Sequence, residues 1–143
     1  MLERERYGVD DAAVRRHFPV ERVIPEVLAI YETLFGLKFE RRASGDDAWA
    51  PGVQLYAISS AGDDAPPFAF FYLDLQPREG KFLSPANFPM RAGRRLPGGG
   101  YVRPVSAIIG NGPAATPGEP ALFSHAGLVQ FFQRYLQLFS SHC

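Results

Sequence analysis

Phe68-Ala69-Phe70-Phe71-Tyr72-Leu73-Asp74-Leu75, running on into Gln76-Pro77-Arg78-Glu79-Gly80-Lys81, is the stretch on which the fold turns. Aromatic and aliphatic residues fill the first eight positions, a composition that suits a central β-strand. Asp63-Asp64-Ala65-Pro66-Pro67 breaks the chain before it, and Pro77 with Gly80 supplies turn chemistry after it. The charged residues of the turn admit two readings. Asp74 and Glu79 form a catalytic carboxylate pair if they approach across the turn. Alternatively, Asp74, Arg78, Glu79 and Lys81 form an ion-pair network in which a guanidinium forks onto a carboxylate. The second reading is preferred, because no nucleophile or metal-binding residue accompanies the carboxylates.

Working outward, Val53 to Ile58 alternates and reads as a second strand. Val102 to Gly110 reads as a third, with Pro104 favouring a strand beginning or an edge position. Ser84 to Gly100 and Gly110 to Pro120 are rich in Pro and Gly and read as surface loops, with Gly98-Gly99-Gly100 as plain flexibility. Asp10-Asp11 precede a short helical turn over Ala12 to His17. A stronger helix is expected from Pro25, with Val27, Leu28, Ile30, Tyr31, Leu34 and Phe35 at helical spacing and Gly36 as the stop. A last helix runs from about Ser124, its N-cap, through Leu128, Phe131, Phe132, Tyr135, Leu138 and Phe139. This order predicts an α+β fold, a small mixed or antiparallel sheet with amphipathic helices packed on it.

Composition narrows the function. The chain has 143 residues, one domain's worth, with 15 Lys plus Arg against 15 Asp plus Glu. Zero net charge argues against nucleic acid and anionic membranes as partners. Arg15-Arg16, Arg41-Arg42 and Arg91 with Arg94-Arg95 read as solvated surface. No apolar run approaches the ~20 residues needed to span a bilayer. The one cysteine, Cys143, has no partner within the chain, and Met1 to Arg6 alternates charges without a signal core. The cytoplasm is the expected compartment.

Phe71 to Lys81 resembles the F-Y-L-D-L-Y-P-R-E-G-K signature of the thimet oligopeptidase family of zinc metallopeptidases, which includes oligopeptidase A. Tyr7-Gly8-Val9-Asp10, His17-Phe18-Pro19, Ile30 to Leu37 and Phe39 fall where that family has similar residues. So do Pro104 to Asn111, Leu122-Phe123-Ser124-His125 and Phe131-Phe132. The resemblance implies a sheet forming the upper part of a zinc-peptidase core, within a larger helical body. It also implies a helix carrying H-E-x-x-H, in which two His one turn apart bind zinc and the Glu acts on the metal-bound water. Here that position reads Gln133-Arg134-Tyr135-Leu136-Gln137. Gln133 and Gln137 keep the spacing but offer carboxamides, and Arg134 puts a permanent cation where a base should stand. Ala126-Gly127 replaces an acidic pair, Gly112 stands where Phe is usual, and Gln76 where Tyr is usual. The family's third zinc ligand lies on a later helix with no counterpart in this sequence.

The expectation is therefore a single truncated, metallopeptidase-like domain over residues 1–143, with no catalytic residue, no metal and no cofactor, although the family would use zinc. Its expected partner is a peptide or a protein. Ile108, Ile109, Gly110 and Asn111 are the candidate binding residues, because a strand at the sheet edge can pair with an extended peptide without metal. The alternative, which is preferred for Val105 to Asn111, is a strand wholly inside the sheet. His125 is expected to make a local hydrogen bond at the helix start, His17 to sit in its turn as a packing or surface residue, and His142 to be unordered. Two alternatives stand beside this one: a working endopeptidase completed by another chain, and a gene fragment with no separate role. Self-association through exposed apolar surface is expected as well.

Overall fold

The computed structural model describes residues 11–62 and 64–140, so the charged start, Tyr7 to Asp10, His142 and Cys143 lie outside it. Strand β3, Ala69–Asp74, sits in the middle of a five-stranded sheet. Its alternation explains why. Ala69, Phe71 and Leu73 are all but inaccessible on one face, while Phe70 and Tyr72 lie half-buried on the other. On one side β3 pairs antiparallel with β2, Gln54–Ser60, which pairs with β1, Leu37–Arg42. On the other it pairs in parallel with β7, Val105–Ile109, whose outer side pairs antiparallel with β4, Ala86–Arg91. The order β1-β2-β3-β7-β4 is mixed, one of the two arrangements expected of this α+β fold. A short hairpin, β5 (Arg94–Arg95) with β6 (Tyr101–Val102), projects between β4 and β7.

Two corrections follow. Ser84 to Gly100 is not merely a loop, because it contains an edge strand and half of a hairpin. Its glycines are also placed: Leu96 N–H donates to Gly100 O at 2.7 Å, Gly99 N–H donates to Leu96 O, and Gly98 and Gly99 take positive φ. The third expected strand is shorter than Val102 to Gly110; of the two positions that Pro104 favoured it takes the strand beginning, and the strand lies inside the sheet. Pro104 stands just before it, where its missing N–H costs no ladder bond.

The helices lie on one face. Short α1, Asp11–Arg15, leads to α2, Val20–Phe35. Helix α2 begins five residues before Pro25, which therefore lies inside it, exposed, and leaves the Glu21 carbonyl without its helical donor. Gly36 ends α2 in the left-handed region, its N–H on Glu32 O. Val23, Ile24, Val27, Leu28 and Tyr31 are buried, whereas Ile30, Leu34 and Phe35 are not, so the apolar stripe is wider than the surface it covers.

Helix α3, His125–Ser140, completes the layer. Ser124 is its N-cap, with Oγ accepting from Gly127 N–H at 3.0 Å. The His125 side chain is exposed and makes no hydrogen bond among the described residues, contrary to expectation, and His17 is exposed in its turn. One hydrophobic cluster joins α2, Tyr56, Ile58, Phe71, Leu73, Ile108, Phe123 and Phe131. Tyr31 crosses it, donating its hydroxyl to Phe132 O at 3.0 Å and tying α2 to α3. Burial pushes the Tyr31 phenol up to about 12.

Candidate functional site

The residues flagged by the sequence fall in three neighbourhoods. Gln133, Arg134 and Gln137 lie on α3, with Gln133 and Gln137 one turn apart and Gln133 exposed. The donor set is therefore carboxamide, guanidinium, carboxamide. These groups do not fit zinc, which takes neutral imidazole, thiolate or carboxylate. Among the described residues, no group of three or more His, Cys, Asp or Glu is placed to hold a metal ion.

Ile108, Ile109, Gly110 and Asn111 gather at the end of β7 with Leu75, Phe123, Gly127 and Phe131, around a cavity of about 270 Å³. The cavity lies between the sheet and the first turns of α3. Glycine lets Leu75 approach closely here: a Cβ at Gly110 would meet Leu75 Cδ2 at 3.3 Å, and one at Gly112 would meet Leu75 O at 3.1 Å. The backbone here is already engaged. Gly110 N–H donates to Asp74 O and Gly112 N–H to Leu75 O, while the Asn111 amide donates to Phe82 O and Leu83 O at 2.9 and 3.1 Å. Both sides of β7 carry ladder partners, so strand addition cannot use Val105 to Asn111, and the sheet edge on this side belongs to β4.

The third neighbourhood is the turn after β3. Asp74 is 1% exposed and accepts from four donors. Arg78 Nη1 and Nη2 bind its two oxygens at 2.8 Å each, Lys81 Nζ reaches Oδ1 at 2.8 Å, and Trp49 Nε1 reaches Oδ2 at 2.8 Å. Burial alone would raise this carboxyl. The hydrogen bonds from Arg78, Lys81 and Trp49, with the charge of Lys81, outweigh it and hold the group at about 2. Lys81, its side chain 3% exposed, also donates to Asp74 O, Gln76 O and Gly110 O. Glu79 is exposed and has no hydrogen bond or ion pair among the described residues, so the carboxylate pair does not form. A carboxylate saturated by cations cannot serve as a base near neutral pH. The network is structural: it locks the turn and pins the end of β7, where the cavity lies.

Sequence reasoning anticipated the Arg78 fork but not the reach of Lys81 to Gly110, across 29 positions. It also missed β4. The signal for β4 was weak, because Pro89 and an irregular register beside it mark an edge strand rather than a propensity-driven one.

Comparison with known proteins agrees with this geometry. The sequence profile of peptidase family M3 matches residues 1–134. A thimet-like oligopeptidase of Dictyostelium discoideum is 33% identical over 129 residues, which is 90% of this chain and 19% of that protein. Saccharolysin of Saccharomyces cerevisiae is 33% identical over 132 residues, 90% of this chain and 18% of that protein. Oligopeptidase A of Escherichia coli is 24% identical over 129 residues, again 90% and 18%. The chain thus spans about a fifth of the length of these relatives. No helix among the described residues is long and apolar enough to cross a membrane. From the strand-and-turn signature, the mixed sheet and the profile match together, the chain belongs to peptidase family M3.

Proposed function

We propose that this chain is a catalytically silent member of its family that binds an extended peptide or a protein segment without cleaving it, in the cytoplasm. The observation that carries the reading is the donor set Gln133, Arg134 and Gln137 on α3. A helix that keeps the spacing of a zinc motif without a ligand or a base has no means to activate water. Losing a positioned general base alone costs ~10²–10⁴ in rate. What survives is the frame: a sheet edge at β4 with unpaired backbone groups, and the cavity lined by Ile108, Ile109, Gly110 and Asn111, sized for one or two side chains.

The test is equilibrium dialysis of the purified chain against zinc, followed by a fluorogenic oligopeptide assay with and without chelator. The expected result is no stoichiometric uptake and no chelator-sensitive cleavage. One zinc per chain, or cleavage abolished by chelation, would overturn the reading. The second reading is a working peptidase completed by another polypeptide, which membership of the family allows. Arg134 weighs against it, because no partner can restore ligands on this helix; co-purification with a protein bearing its own zinc motif would revive it.

Self-association is part of the same proposal. Ile30, Leu34 and Phe35 are 45%, 67% and 48% exposed at the C-terminal end of α2, apolar surface that a second copy would cover. Light scattering is expected to give a dimer or larger species. A monodisperse monomer that binds no hydrophobic dye would contradict this.

A further inference from the structure

The charges of this neutral chain are segregated. Of its 15 acidic residues, all but Glu119 precede Gly80, and no Asp or Glu occurs between Gly80 and Gly118. That interval contains Lys81, already saturated by Asp74, and four arginines, Arg91, Arg94, Arg95 and Arg103. The fold draws the four together. Arg91 ends β4, and its Nε donates to the carbonyl of Arg103 at 3.0 Å. Arg94 pairs with Val102, the neighbour of Arg103, and Arg95 pairs with Tyr101 in the same hairpin. All four side chains are exposed, and none has an ion-pair partner among the described residues. The hairpin holds them in place, because Tyr101 packs over Gly93 so closely that a Cβ there would strike its hydroxyl.

Arg94 and Arg95, consecutive in a strand, leave opposite faces of the hairpin, so the four unneutralised guanidiniums surround it and raise the local positive potential, which an anionic ligand lowers. The cluster stands at the C-terminal end of β4, the strand whose outer side is unpaired in the sheet. Beside the same strand, Phe82 and Phe88 meet edge to face with centroids 5.8 Å apart, 55% and 41% exposed. Strand β4 thus has a free backbone edge, an apolar ring pair that includes its own Phe88, and a cationic hairpin after its C-terminal end. We infer that the free edge of β4 selects extended peptides carrying carboxylates, with the arginine cluster fixing their acidic side chains; this rests on the peptide-binding reading above. Pro89 withholds one donor from the edge, which leaves the electrostatic contacts a larger share of the discrimination. Nucleic acid fits less well, because the chain as a whole has no net charge and a phosphate backbone cannot use a strand's amide ladder.

The experiment is fluorescence anisotropy of the full chain with three dye-labelled, acetylated hexapeptides alternating Val with Glu, Gln or Lys. At low ionic strength the Glu peptide is expected to bind about ten-fold more tightly than the Gln peptide, with the gap closing as salt is added. The double variant R94E/R95E should shift the preference from Glu to Lys. R94Q/R95Q, which adds no new charge, should remove the preference for Glu and leave the Gln peptide unaffected. Equal binding of the Glu and Gln peptides would overturn this inference and leave peptide binding standing. Binding of none of the three would overturn the peptide-binding reading and this one with it. Displacement of the Glu peptide by single-stranded oligouridylate at a lower concentration than by unlabelled Glu peptide would overturn it in favour of nucleic acid.

Discussion

Asp74→Ala is expected to destabilise the protein by about 3–5 kcal/mol, the cost of stranding a buried cation. The substitution removes the acceptor of Arg78, Trp49 and Lys81 at once, and Lys81 cannot escape to solvent because its side chain is 3% exposed. Lys81→Met should cost less, since Asp74 keeps the bidentate Arg78 and the Trp49 indole. Arg78→Ala should cost least of the three, because its side chain is 35% exposed and the loss is partly made good by water. Urea unfolding monitored by Trp49 fluorescence gives the ranking; an Asp74→Ala midpoint equal to that of Arg78→Ala would refute it.

The same carboxylate sets an acid limit. Its folded value of about 2 lies below the ordinary 3.8, so the folded state favours the ionised form. That stabilisation is fully present above the ordinary value and is lost as pH falls through 3.8 towards 2. The shift corresponds to about 2 kcal/mol. In Asp74→Asn the limb disappears, so the stability gap between the native chain and this variant should narrow on acidification. A gap that stays constant down to about pH 2 would mean that Asp74 is not the titrating group.

Phe71→Ala should cost about 3–5 kcal/mol. Phe71 is wholly inaccessible, stacked on Tyr56 at 5.1 Å between centroids and edge-on to Phe39 at 6.0 Å, so β1, β2 and β3 all close on it. The rings of Phe39 and Tyr56 on the sheet, and the α2 residues of the same core cluster, hinder collapse into the cavity left behind. Phe70→Ala, one position away on the half-buried face, should lose clearly less. Comparison of the two unfolding midpoints tests which face of β3 carries the core, and the reverse ranking would mean that the sheet is assigned inside out. Against a total stability of ~5–15 kcal/mol for a domain, either Asp74→Ala or Phe71→Ala consumes a large part.

What could be read in advance divides by physical cause. Strand β3, the Gly36 stop, the Ser124 cap and the turn at Pro77 and Gly80 are local chemistry, and each appears where the residues place it. Strand β1 was hidden because Leu37 to Arg42 carries four charged residues in six and is defined by pairing with β2 rather than by its own apolar period. Strand β4 was hidden for the same reason, with Pro89 disguising it further. The start of α2 was misread because Pro25 usually opens a helix, whereas here burial of Val23 and Ile24 draws the helix back to Val20. At the site, the altered chemistry of Gln133, Arg134 and Gln137 stands in plain residue identities. The loss of the β7 edge and the arginine cluster beside β4 depend on which distant segments pair, which no local pattern contains.

The parallel joining of β3 to β7 has a kinetic side. Phe70 meets Val105 only after the chain has passed through the whole of β4 and the hairpin, and β4 itself gains a ladder only once β7 is seated. Insertion of β7 is thus a late event governed by closure of a long loop. Until it occurs, a nascent chain leaves the side of its most aromatic strand bare, and dilution or slow synthesis will favour the native product over clumped intermediates.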